Sequence, residues 1–174
     1  SSVVAEDISD FEIEGMSIGD SLLDYFTEKH INENEHDFYK DKKFTPVQYV
    51  KLSHEYINYD FVSFNYKTGD KKYIIHNISG IINYKYNIDE CYIEMDEIIN
   101  EVKQIFKNAK FYDKETYSHR GDSTGKSKIT DVIFELKSGD LVVACFDYSD
   151  EYDYEDHLNV GLDSREFQKW ISKG

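Results

Sequence analysis

The densest run of chemically capable side chains is the stretch 147–156, where Asp147, Asp150, Glu151, Asp153, Glu155 and Asp156 crowd together. Hard carboxylate oxygens at flexible spacing are what a calcium ion takes. An EF-hand loop would need a central glycine and a glutamate at its twelfth position, and neither is present. A cation would relieve repulsion among these acids, so calcium is the one cofactor the sequence raises. The competing reading is a solvated acidic loop. Tyr148, Tyr152 and Tyr154 are interleaved with the carboxylates. Amphipathic rings among acids make a recognition patch for a basic or carbohydrate partner.

Other candidates are weaker. Arg120-Gly121-Asp122-Ser123-Thr124-Gly125-Lys126-Ser127 looks like a phosphate loop. A P-loop needs its first glycine where Arg120 stands, and a helix to follow. A strand pattern follows instead, at Ile129. The six histidines (30, 36, 54, 76, 119 and 157) form no His-x-x-x-His pair and no zinc-hydrolase motif. His157 beside Asp156 is a possible acid–base pair, and surface polarity is the simpler reading. No Gly-x-Ser-x-Gly elbow is present, and neither cysteine carries the sequence signature of a thiol nucleophile. The sequence therefore nominates no catalytic residue. Cys91 and Cys145 are either one disulfide, in an oxidising compartment, or two small buried hydrophobes.

These residues need elements to hold them. Residues 1–14 read as an extended arm. Ser17, with Asp20 three residues on, opens a helix carrying Ile18, Leu22, Tyr25 and Phe26, and a short helical turn continues to about Glu35. Strand patterns follow at Val47–Leu52, Phe61–Tyr66 and Tyr73–Tyr84, the last with a bulge expected at Gly80. A helix from Asn87 or Asp89 to about Asn108 has a stripe of Cys91, Met95, Ile98, Val102 and Ile105, widened by Tyr92, Ile99 and Phe106. Acids sit early in it and lysines late, as the helix dipole favours. Four more strands fall at Lys110–Ser118, Ile129–Leu136, Leu141–Asp147 and His157–Leu162. Asp163 or Ser164 caps a last helix. The fold class is α+β, with antiparallel sheet covered by a long central helix in the order α-βββ-α-ββββ-α. Residues 15–174 form one domain. The helix-then-three-strands pattern occurs twice, which raises an α-β3 pseudo-repeat with halves 15–86 and 87–174.

Composition limits the partners. The chain has 174 residues, a formal net charge of -15, and 16% aromatic residues, including 15 Tyr and 11 Phe. That aromatic content supports a packed core despite a mean hydropathy of -0.65. The negative field repels phosphate backbones and anionic lipid surfaces, so nucleic acid is excluded as a partner. Only Arg120 and Arg165 are arginines, which leaves little for bidentate phosphate clamps. No run of apolar residues is long enough to span a membrane. Tyr39, Tyr49, Tyr56, Tyr59, Tyr66, Tyr73, Tyr84 and Tyr86 line or flank the first strand group. They suit half-buried sheet faces, with a tyrosine-lined groove as the functional alternative. Val3-x-Ala5 followed by Glu6-Asp7 has the small-residue pattern of a signal-peptidase cut, which makes periplasmic or secreted location the expectation.

The stretch Ile8-Ser9-Asp10-Phe11-Glu12-Ile13-Glu14-Gly15-Met16-Ser17-Ile18-Gly19-Asp20-Ser21-Leu22-Leu23-Asp24-Tyr25-Phe26 resembles the mature N-terminus of small uncharacterised exported proteins from AT-rich, Pelagibacter-like marine alphaproteobacteria. The likeness continues through the tyrosine-rich strands and the long helix. It implies export and a bacterial source, and brings no catalytic residues. Gly15-Met16-Ser17 is also similar to the entry segment of BamE/SmpA-like and β-lactamase-inhibitor-like modules. The Leu-Gly-x-Pro continuation of those modules is missing, and the only proline is Pro46. Taken together, the expectation is a non-catalytic exported module that binds a protein or envelope component, a basic one among the candidates. A small-ligand carrier and a hydrolase whose site assembles only in three dimensions are the alternatives.

Overall fold

The structure, a computed structural model, describes residues 7–50, 58–85 and 87–173. The N-terminal cleavage pattern, His54, Tyr56 and Tyr86 lie outside the described residues. Among these residues, seven strands pair antiparallel in one sheet: β1 (Phe44–Val50), β2 (Phe61–Lys67), β3 (Ile75–Lys85), β4 (Lys110–Ser118), β5 (Lys128–Glu135), β6 (Gly139–Asp147) and β7 (Asp156–Ser164). The spatial order is β1-β2-β3-β7-β6-β5-β4. Two meanders therefore meet at the β3–β7 pair, whose register runs from Asn77↔Asp163 to Lys85↔Asp156. Among the described residues, three helices complete the α+β fold: α1 (Glu28–Glu33), α2 (Ile88–Ile105) and α3 (Arg165–Ile171).

Alternation of side chains gives the sheet two unlike faces. One rung on the first face reads Val47, Phe64, Ile78, Leu162, Leu141 and Phe134 across β1-β2-β3-β7-β6-β5, all of it buried. The next reads Val50, Val62, Gly80, Val160, Val143 and Val132. Gly80 makes no bulge. A Cβ there would lie 2.6 Å from the Tyr59 ring, so the missing side chain makes room for an aromatic lid.

The long helix does not cover this face alone. Cys91, Met95, Ile99 and Val102 of α2 are buried against β6, β7 and β3. Ile105 is exposed, so the buried stripe turns through Ile99 and not through the expected Ile98–Ile105 line. The rest of the face is closed by the N-terminal segment, through Ile8, Ile13, Met16 and Leu22. The expected arm is thus part of the core over residues 7–14, with a 3-10 turn at Ile8–Asp10 capped by Asp7. The helix expected from Ser17 does not form. Ser17 N–H does donate to Asp20 Oδ2 (3.0 Å). Gly19, at φ +95, then turns the chain so that its N–H donates to Ile75 O, and a 3-10 turn follows at Leu22–Asp24. The element order therefore differs from the expected one at its start. A helix followed by an antiparallel meander occurs in both halves, with α1 of 6 residues before three strands and α2 of 18 before four.

The second face is partly roofed by α3 and the segment 36–43. Ser164 Oγ caps α3 by accepting from Phe167 N–H (3.1 Å). Phe44 packs on Phe167 (5.2 Å between centroids) and Trp170 (5.0 Å). Cys91 and Cys145 form a disulfide, with Cα atoms 6.1 Å apart, tying the start of α2 to β6. Replacing both cysteines by serine is expected to cost about 2–4 kcal/mol by urea unfolding without reductant. An unchanged midpoint would show that packing alone holds α2 in place.

Candidate functional site

The loops at one end of the sheet build an aromatic cleft. Phe146 of β6 and His157 of β7 are cross-strand neighbours on the second face and stack at 4.4 Å. Tyr148, just past the end of β6, continues the pile: its centroid lies 6.2 Å from Phe146, 5.7 Å from His157 and 5.3 Å from Tyr154. Tyr152 stacks on Tyr154 at 6.3 Å. His119, on the loop after β4, comes within 5.6 Å of Tyr148. The three tyrosines singled out in the sequence thus meet in one cleft of about 530 Å³, together with His119, Asp122 and Phe38. Burial lowers the His157 pKa, and its Nδ1 lies 3.2 Å from Glu155 O.

Each wall of the cleft is held by its own hydrogen bonds. Asp122 Oδ1 accepts from Thr124 N–H (2.9 Å) and Thr124 Oγ1 (2.6 Å), and its Oδ2 accepts from Ser127 N–H (2.8 Å). These donors hold the Asp122 carboxyl well below the usual carboxylate range. The apparent phosphate loop is therefore an Asx-organised hairpin loop. Two bonds join it to the opposite wall: Lys126 Nζ to Glu151 Oε1 (2.5 Å), and Ser149 N–H to Ser127 Oγ (3.0 Å). Burial and the Asp122 carboxylate push the Tyr152 hydroxyl pKa upward.

The acids of 147–156 do not gather into one shell. Glu151 faces Lys126, Asp156 Oδ1 accepts from Tyr148 N–H (2.8 Å), and Asp153 and Glu155 point to solvent. Burial first, then the Asp150 charge, raises the pKa of Asp147, and burial raises that of Asp156. Among the described residues, no group of three or more His, Cys, Asp or Glu side chains is placed to hold a metal ion.

A second constellation has no counterpart in the sequence reading. One polar rung crosses six of the strands on the second face, Asn65, Asn77, Asp163, Asp140, Glu135 and Lys110, and ends at Pro46 on β1. Asn65 Nδ2 donates to Asn77 Oδ1 (2.9 Å), and Asn77 Nδ2 donates to Asp163 Oδ1 (2.7 Å). Arg165 holds Asp140 at 2.8 Å and caps Leu136 O at 2.7 Å. Burial pushes Asp163 up to about 7, helped by the neighbouring Asp140. A carboxyl that keeps its proton near neutrality beside a second carboxylate is an arrangement hydrolases use. Neither acid lines the tyrosine cleft.

Asp163 also links stability to pH. Its folded pKa lies above its ordinary value of 3.8, so its stabilising protonation is complete below about pH 4 and is lost as pH rises through about 7. Asp163→Asn keeps an acceptor for Asn77 and removes the titration. Relative to this variant, the wild type is expected to lose on the order of 2 kcal/mol between pH 5 and pH 8, read by urea unfolding. Parallel pH profiles would contradict the assignment. No protein-family model, no curated protein and no solved structure matches this chain.

Proposed function

We propose that the protein is a non-catalytic exported binding module of the cell envelope, and that the tyrosine cleft holds its partner. The observation that carries this reading is the convergence of Tyr148, Tyr152 and Tyr154 with His119 on one open cleft, braced by the Lys126–Glu151 pair. Tyrosine supplies large contact area at small entropic cost and keeps a wet hydroxyl, which suits recognition. The Cys91–Cys145 disulfide supports an oxidising, extracytoplasmic compartment. The likeness of residues 8–26 to exported marine bacterial proteins points the same way. No helix among the described residues is long and apolar enough to cross a membrane.

A small-ligand carrier would use the same cleft, whose volume of about 530 Å³ falls in the range of small-molecule sites. The hydrolase alternative rests on the Asp163–Asp140 pair. Calcium binding by the 147–156 loop would require its carboxylates to swing together.

Thermal unfolding against peptides and oligosaccharides of graded charge tests the reading. A ligand at 100 times its Kd adds about 2.7 kcal/mol. At least one class is expected to raise the Tm of the wild type and not that of a Tyr148→Ala/Tyr154→Ala double variant. An equal rise in both proteins would place the site elsewhere, and no rise with any class would sink the reading.

A further inference from the structure

We propose that the tyrosine cleft is one end of a longer aromatic track, and that the track takes an extended polypeptide segment with a lysine or arginine for the cleft and an apolar side chain for the far end. This rests on the reading of the cleft as a binding site and adds its partner class and its extent. The far end is a groove of about 460 Å³ beside Trp170 and Ile171. Trp170 lies 4.7 Å from Tyr39, and Tyr39 lies 4.6 Å from Phe38, centroid to centroid. Phe38 lines both the groove and the cleft, so the two hollows share a wall and adjoin.

Large apolar side chains along this path are kept in water. Phe38 is 56% exposed, Tyr154 62% and Ile171 40%. Contiguous exposed apolar surface of this kind marks an interaction site. Charge selects the occupant. With a net charge of -15, the chain repels a second copy of itself, nucleic acid and anionic glycans. The cleft is lined by one carboxylate, Asp122, by no lysine or arginine, and by the negative faces of tyrosine rings, which together attract an ammonium or guanidinium group. Lys40 and Lys173 outnumber Asp41 around the Trp170 groove, so a cationic side chain is directed to the cleft and an apolar one to the groove. The ring steps from Trp170 to Tyr39 (4.7 Å) and from Tyr39 to Phe38 (4.6 Å) already take up about three residues of extended chain at about 3.3 Å each, so the longer probe sets its two anchors four positions apart.

Trp170 is the only tryptophan, and its fluorescence reports the far end selectively. The probes are the tripeptide Gly-Lys-Gly and the longer Leu-Gly-Gly-Gly-Lys-Gly. Affinity is read from NMR shifts of the tyrosines, and occupancy of the groove from Trp170 emission. The longer peptide is expected to bind at least tenfold more tightly and to shift the emission, whereas the tripeptide leaves it unchanged. Phe38→Ala, an exposed change that leaves the core intact, should abolish the gain from length, and Phe38→Tyr should restore it. If the tripeptide binds and is lost in Tyr148→Ala while length adds nothing, the track falls and the cleft reading stands. If neither peptide binds, and a neutral chito-oligosaccharide binds in a Tyr148-dependent way, the polypeptide class is wrong and the cleft reading survives. If no probe binds, both fall.

Discussion

The architecture depends on the pairing of β3 with β7. Each meander could fold on local hairpins, but neither would bury its apolar face alone. The β3–β7 ladder makes them one sheet, aligning Ile78 with Leu162 and Gly80 with Val160. Once that register is set, two apolar rungs run unbroken from β1 to β5. A slip of one residue would turn every apolar side chain of β7 to the wrong face. The same register fixes the polar rung, because Asp163 meets Asn77 on one side and Asp140 on the other only in this alignment.

From that constraint follows a division of labour between the faces. The first face is fully packed, under α2, the disulfide and the N-terminal segment. The second is half-covered, and its cover is aromatic: Phe167 and Trp170 from α3, Tyr39 from the segment before β1. At the loop end of the sheet this aromatic layer passes into the tyrosine cleft. The stiff floor of the cleft is the Phe146–His157 stack on paired strands, and its adaptable parts are loops tied together by Lys126 and Glu151. Recognition surfaces carried by loops on a rigid scaffold are a common solution.

Local patterns were the readable part. β5 and β6 alternate strongly enough to be placed from residues alone, α2 has a clear stripe and charge gradient, and the Tyr148, Tyr152, Tyr154 cluster was visible as a patch. What failed was whatever depended on distant partners. The 17–26 segment has helical spacing, but its backbone bonds to Ile75 and Tyr73, some fifty residues on, outcompete the helix. Gly80 looked like a bulge because the Tyr59 ring that needs its space is far away in sequence. Neighbouring acids in 147–156 suggested a shared ion, yet in strand-and-turn geometry adjacent side chains diverge. Asp140 and Asp163 are unremarkable as residues, and only the sheet register makes them a pair. Phe38 and Trp170, far apart in sequence, give no hint that Tyr39 packs against both.

The docking of Ile8 has a consequence for how the chain is made. Ile8 is buried, its N–H donates to Ser138 Oγ (3.3 Å), and its 3-10 turn rests on β6 and β7. Ile8 thus has its seat on strands that are made long after it, since β6 begins at Gly139 and β7 ends at Ser164. At about 5–20 residues per second, Ile8 and its apolar neighbours wait on the order of ten to thirty seconds before their site exists. Over that interval the nascent chain presents Ile8, Ile13, Met16 and Leu22 as a sticky, unpaired stretch. The core cannot close around Ile8 until β7 has been made, and a holding chaperone that grips this segment would act at the point of greatest exposure.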